Sequence, residues 1–248
     1  MNRPHIIVNV AMTADGKIDS TARKGAAISS KTDKARVDRL RASVDAVLVG
    51  GRTLLNEDPK LTVKSPELRA ERLQKGWPEN PAKVGVISEI STKTTIGVPQ
   101  ISGAGRSALK HPLMQFLTSG PAQVYLFTTE CVDPDLVTHF EDTGATVRAA
   151  GKDRVDLVTV FQSLHQDGIR TILVEGGGTM IAELFRLNLV DELTIYIAPK
   201  IFGGMTAPTM ADGAGFLADQ APVLKLKSVE ILDDEGGILV HYLRKNKE

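Results

Sequence analysis

Residues 172–185 read ILVEGGGTMIAELF, and the change of rhythm within them sets the fold. Ile172, Leu173 and Val174 form a short continuous apolar run, the pattern of a strand buried on both faces. After the glycines, Met180, Ile181, Leu184 and Phe185 recur at helical spacing and make one apolar stripe. Strand, glycine turn and helix in that order are the parts of a parallel α/β sheet. Gly176, Gly177 and Gly178 sit at the junction, where a missing Cβ permits positive φ and close approach by another group. The first N–H groups of a helix have no partner within it, and the helix dipole favours negative charge there. Such a turn can hold a phosphate or pyrophosphate. Alone, it reads first as a tight turn without a ligand: GGGTMI lacks the third glycine of G-x-G-x-x-G, and no Gly-Lys-Ser/Thr follows.

Outward from this stretch, strand-like and helical patterns alternate. Residues 6–12, 45–51, 83–88, 123–129, 145–150 and 171–175 read as strands, and 29–44 and 157–166 as helices. Ser30 with Asp33 makes a capping box, and Val37, Leu40 and Val44 give the first helix an apolar stripe. Residues 191–200 alternate Leu193, Ile195 and Ile197 against Thr194, Tyr196 and Ala198, which predicts a half-exposed strand. Two final runs, 223–232 and 237–243, flank Asp233–Asp234–Glu235–Gly236 as a hairpin would. The fold class is therefore α/β, with a mostly parallel sheet flanked by helices and a C-terminal antiparallel hairpin. Segments 64–82 and 92–112, rich in Pro, Gly, Ser and charge, read as insertions or surface loops, so 1–248 is expected to form one domain.

Composition narrows the function. Lys+Arg and Asp+Glu both total 30, so no general basic pull toward nucleic acid or an anionic membrane is expected. No apolar run approaches the roughly 20 residues of a membrane-spanning helix, and the N-terminus has no signal-peptide pattern. Cys131 is the sole cysteine, which excludes an internal disulfide and a cysteine-rich zinc site and fits a reducing cytoplasm. The five histidines are scattered, and no metal is expected.

A second glycine turn repeats the logic of the first. In VLVGGRTLLNEDPKLTVK, residues 47–64, a buried strand ends at Gly50–Gly51, a short helical turn carries Arg52 and Thr53, and Pro59 stops it. Glycines at the carboxyl ends of two buried strands are where α/β sheets bind ligands. Together with NVAMTADGKI (9–18), residues 28–63, VISE (86–89) and residues 172–204, these blocks resemble the riboflavin-pathway pyrimidine reductases. These also occur as the C-terminal reductase domain of bifunctional deaminase–reductases. The resemblance implies a dihydrofolate-reductase-like fold, NADPH as hydride donor and a homodimer. The implied reaction reduces a 5-amino-6-ribosylamino-pyrimidine 5′-phosphate to the ribitylamino product.

The same resemblance supplies candidate site residues. Ala11, Thr53, Glu57, Ser88, Gly177, Gly178, Thr179, Met180 and Ile181 fall at cofactor positions. Arg41, Leu61, Lys64 and Glu175 fall at substrate positions, with Arg41 and Lys64 expected to neutralise the 5′-phosphate. Glu57 and Glu175 are the candidate catalytic residues. Three positions depart from the pattern: Glu57 where Asp is commoner, Lys64 where some members have Arg, and Gly25 where some place a serine. No zinc-deaminase signature is present. Two other readings stay open: a reductase of the same fold for a pterin or another heterocycle, and a nucleotide-binding module without chemistry.

Overall fold

The computed structural model describes residues 2–88 and 114–245. Nine strands form one sheet in the order β5-β4-β3-β2-β6-β1-β7-β9-β8. These are β1 (His5–Thr13), β2 (Ala46–Gly50), β3 (Ala82–Val86), β4 (Val124–Thr128), β5 (Thr146–Ala149), β6 (Thr171–Val174), β7 (Glu192–Ala198), β8 (Leu224–Ile231) and β9 (Ile238–Arg244). From β5 through β7 every neighbour pairs in parallel, whereas β9 is antiparallel to both β7 and β8. The sheet is thus mixed and mostly parallel, with the expected hairpin at its edge.

The helices are α1 (Lys31–Ala42), α2 (Gly51–Glu57), α3 (Pro66–Gln74), α4 (Met114–Thr118), α5 (Pro134–Asp142), α6 (Leu157–Gln166) and α7 (Gly178–Arg186). Side chains alternate across the sheet and split the core. On one face Val8, Leu48, Val84, Phe127 and Val174 pack with Val160 and Phe161 of α6 and Ile181 and Leu184 of α7. On the other, Val47, Val49, Leu126 and Leu173 pack with Leu40 of α1, Leu54 of α2, Phe116 of α4 and Phe140 of α5. The helix after β2 and the helix after β6 therefore leave the sheet on opposite faces. Adjacent strands whose connections part in this way open a crevice at their carboxyl ends.

Four expectations need correction. Segment 64–82 contains α3, which Ser65 caps through the Leu68 N–H and which Pro66 starts. Its only buried residue is Arg72, so no apolar stripe announced it. Segment 92–112 lies outside the described residues. The helix α1 buries less of its expected apolar stripe: Val37 and Leu40 are only half-buried, Val44 lies beyond its end, and its buried positions are Asp33, Arg36, Asp38 and Ala42. Only half of its capping box forms. Ser30 accepts from the Asp33 N–H, but the Asp33 carboxylate turns to Arg36, which also donates to Asn9 of β1. Finally, β7 is not half-exposed. It lies between β1 and β9, with Leu193, Thr194, Ile195, Tyr196 and Ala198 all buried.

Candidate active site

The two glycine turns meet. The Gly50 N–H donates to the Gly176 carbonyl at 3.4 Å, and the Glu175 N–H donates to the Leu48 carbonyl at 3.0 Å. The residues that end β2 and β6 are thus one frame, with α2 leaving from one side and α7 from the other. The cleft over this frame has a volume of ≈ 560 Å³. Of the expected cofactor residues, Thr53, Glu57, Ser88, Gly177, Gly178, Thr179 and Met180 all line it.

The glycines have separate reasons. Gly177 has φ 82°, in the left-handed region that costs other residues strain. Gly178 sits against the 205–212 loop, where an added Cβ would run into the Thr209 carbonyl and the Asp212 carboxylate. The Asp212 N–H donates to the Gly178 carbonyl, and the Asp212 carboxylate is held by the Thr209 N–H and hydroxyl. That loop walls one side of the cleft while the first turn of α7 opens into it.

Two expected cofactor residues do not line the cleft. Ile181 is fully buried in the core and spends its N–H on the Gly177 carbonyl. Ala11 pairs with Tyr196 across β1 and β7 and packs beside Tyr196 and Ile28. Ser88 lines the cleft, but its hydroxyl accepts from the Val155 N–H at 3.1 Å and so ties the end of β3 to the loop before α6.

Glu57 closes the open end. Its carboxyl is pushed above the usual glutamate value, first by desolvation in the cleft wall and then by Asp19. Asp19 gathers the N–H groups of Ser20, Gly25 and Ala26, which folds the 19–26 loop around it. Gly25 comes to rest beside the Glu57 carboxyl: a Cβ there would lie 3.7 Å from Cδ. Asp19, Arg154 and Asp212 were not visible as site residues, because each reaches the cleft from a loop with no motif. Arg52, Arg154 and Arg23 supply positive charge along the same walls.

The expected substrate residues form a second group, and none of them lines this cleft. Arg41 reaches from α1 to Glu175 and holds it with two hydrogen bonds, Nε to Oε1 and Nη2 to Oε2, both 2.6 Å. Nη1 donates to the Thr62 carbonyl at 3.1 Å. The pair is largely buried, at 15% and 12% side-chain exposure. Burial works against the Arg41 charge, and Glu175 more than restores it, so its value is raised. Leu61 is buried with φ 51° and packs in the core under α2. Lys64 is exposed, and only its N–H is engaged, by Asp38 at 2.7 Å. The Arg41 guanidinium is thus matched by Glu175, while the Lys64 side chain stands in solvent.

The cleft suits an elongated, anionic ligand that needs backbone donors at one point and a carboxyl at the other. Among the described residues no cluster of three or more His, Cys, Asp or Glu is placed to hold a metal, and no helix is long and apolar enough to cross a membrane.

The family model of the RibD C-terminal domain matches residues 4–240. The chain is 38% identical over 215 residues to the 2,5-diamino-6-ribosylamino-4(3H)-pyrimidinone 5′-phosphate reductase of Archaeoglobus fulgidus, covering 87% of this chain and 89% of that one. It is 34% identical over 245 residues to the reductase of the same name from Methanothermobacter thermautotrophicus, covering 98% and 99%. Among solved structures, Acinetobacter baumannii RibD superposes with a TM-score of 0.73 at 20% identity, covering 99% of this chain and 59% of that longer one.

Proposed function

This chain belongs to the RibD C-terminal domain family, and on that footing we propose that it reduces the ribosyl group of 2,5-diamino-6-ribosylamino-4(3H)-pyrimidinone 5′-phosphate to the ribitylamino product, with NADPH as donor. The observation that carries the reading is the joining of the two glycine turns into one frame beneath a cleft lined by Thr53, Glu57 and the first turn of α7. The diamino form is preferred over its deaminated counterpart because both reductases named above carry it in their names. The chain also has too few cysteines for a zinc deaminase.

The residues present fit a dinucleotide. Gly177 and Gly178 let a pyrophosphate approach the start of α7, where unpaired N–H groups and the helix dipole favour it. Arg52 and Arg154 supply charge for further phosphate. When bound, NADPH supplies the hydride for the anomeric carbon of the ring-opened imine. The chain has to orient the two carbons, exclude water and deliver one proton to the nitrogen. Glu57 is suited to the last task, because burial first and Asp19 second raise the carboxyl's affinity for a proton. Glu175 follows β6 directly and precedes the glycine turn, so a substrate held there lies next to the cofactor end. Arg41 fixes the orientation of that carboxylate.

One observation favours a second reading. Arg41 is neutralised by Glu175, as suits a pterin or another heterocycle without a phosphate. NADPH oxidation separates the two when run with the diamino riboside phosphate, its deaminated counterpart, the dephosphorylated riboside and a dihydropterin. The reading expects the diamino phosphate to be turned over fastest and loss of the phosphate to lower kcat/KM. Equal rates with and without the phosphate would overturn it in favour of the second.

We also propose a homodimer, formed through the edge hairpin. The β7 residues Leu193, Thr194, Ile195, Tyr196 and Ala198 are buried within the subunit and so are not available for it. Leu226, Val229 and Ile231 of β8 share one face with Ile238 of β9 and are 53%, 59%, 80% and 38% exposed. They sit on the edge hairpin, and a second copy would cover them. Ile231→Glu is expected to halve the mass seen by light scattering. A parent that is monomeric at micromolar concentration would remove the proposal.

A further inference from the structure

A second cavity, of ≈ 310 Å³, lies at the opposite ends of the strands that carry the cleft. It opens where β2, β3 and β4 begin, between the loop after α3 and the turn after α6. β2 and β3, five residues each, separate it from the glycine frame. Its volume is toward the lower end of small-molecule sites, which run from about 300 to 1,000 Å³. Two aromatic rings, Trp77 and Tyr125, contribute to its lining.

Arg72 is the unusual member of the wall. It is 2% exposed. Its Nε donates to the Pro78 carbonyl at 2.8 Å, and Nη1 donates to the Ala42 and Val44 carbonyls at 2.9 Å each. The guanidinium carbon stands 5.3 Å from the Trp77 ring centroid. These contacts explain why Arg72 is rigid and where three of the five guanidinium N–H donors go. They leave Nη2 without an acceptor among the described residues, and no carboxylate there lies within ion-pairing distance. Nη2 is open to the cavity and not sealed in the core, so solvent or a ligand can meet it. Acceptors line the same cavity. Asp45 commits Oδ2 to the N–H groups of Arg170 and Thr171 and to the Thr171 hydroxyl, which leaves Oδ1 open. Gln123 commits Nε2 to Thr146 and leaves Oε1 open. Asp167 is paired with Arg148.

We propose that this cavity is a second ligand site, for a planar nitrogen heterocycle that carries a carbonyl beside a ring N–H or amino group, as aminopyrimidinones and guanine do. The ring seats against Trp77 and Tyr125, the carbonyl accepts from Arg72 Nη2, and the N–H edge donates to Asp45 Oδ1. The charge pattern rejects simpler occupants. Asp45 and Asp167 disfavour a plain anion, Arg72 disfavours a plain cation, and an apolar ligand leaves the open donor and acceptor unmatched.

Trp77 is the only tryptophan in the chain, so its emission reports on this site alone. The whole protein, saturated with NADPH, is titrated with 2,4-diamino-6-hydroxypyrimidine and with guanosine, and with benzoate and benzamidine as planar anion and cation controls. The expected result is a saturable change in Trp77 emission with the two heterocycles and none with the controls. Calorimetry on Trp77→Ala should then show affinity lowered about tenfold, or about 1.4 kcal/mol. Asp45→Asn, checked by its melting curve, should weaken binding as well. If Asp45→Asn fails to fold, Trp77→Ala, which changes a half-exposed ring, still decides the matter. No saturable change up to the solubility of either heterocycle would overturn the proposal. Binding of undiminished affinity in Trp77→Ala would also overturn it, by placing the probe elsewhere.

Discussion

The two ends of the proposed active site, one for the cofactor and one for the substrate, are built from different materials. The cofactor end is backbone: two glycine turns joined by a hydrogen bond, with the first turn of α7 above them. The substrate end is side chain: Arg41 crosses from α1 to grip Glu175, and Asp38 of the same helix holds the N–H groups of Lys64 and Ser65. A backbone site rests on local conformation and is disturbed by adding atoms. A side-chain site rests on charge pairing across the fold and is disturbed by removing one partner.

The sharpest test of that difference acts on the ion pair. Removing one partner of a buried pair typically costs about 3–5 kcal/mol, because the other charge is left uncompensated. Arg41→Ala should destabilise the protein on that scale in denaturant melts, while Arg41→Met with Glu175→Leu should recover most of it. An Arg41→Ala protein as stable as the parent would mean that the pair holds nothing together. At the backbone end, Gly177→Val forces a β-branched residue to φ 82°. That strain is on the order of 1–3 kcal/mol, and it should appear as about one to two decades of lost NADPH affinity by fluorescence titration. A folded variant that binds as the parent does would reduce the glycines to a turn.

A smaller effect is expected at Lys64, whose side chain is exposed. Lys64→Ala should raise KM for the phosphorylated substrate by up to about fivefold, as for one solvent-exposed ion pair, and leave NADPH affinity unchanged. An unchanged KM would detach Lys64 from the substrate end. The smallest effect concerns Glu57. Its folded-state value lies above the ordinary 4.5, so the folded protein holds a proton that the unfolded chain releases first. Stability from this group is present below 4.5 and fades as pH rises through the raised value. Glu57→Gln should flatten the pH dependence of stability in that window, and an identical slope in both proteins would place the carboxyl in ordinary solvent.

What could be read from the chain follows the same division. Gly176–Gly178 and the apolar stripe Ile181 and Leu184 announce a turn and a helix within fourteen consecutive residues, 172–185, because both signals are local. The strands of the parallel sheet were legible for the same reason: runs such as AVLVG are buried on both faces. The α1 helix was legible too, but its buried face was not. Its buried Asp33, Arg36 and Asp38 look like a wet surface until Asn9 and the backbone of residues 64–65 are brought to them by the fold. Arg41 likewise looks like a free cation until β6 delivers Glu175. The β7 alternation misled because Ile28, Phe202 and Leu232, from distant parts of the chain, cover the Tyr196 and Ala198 face that the pattern left open.

The division itself is tested most directly by Glu175→Gln, which keeps the shape of the side chain and removes its charge. NADPH affinity by fluorescence and turnover of the diamino riboside phosphate are measured on the same preparation. The account expects turnover to fall by at least about tenfold, the size of one charged hydrogen bond, with cofactor affinity unchanged. Unchanged turnover, or an NADPH affinity that falls in step with it, would contradict the separation of the two ends.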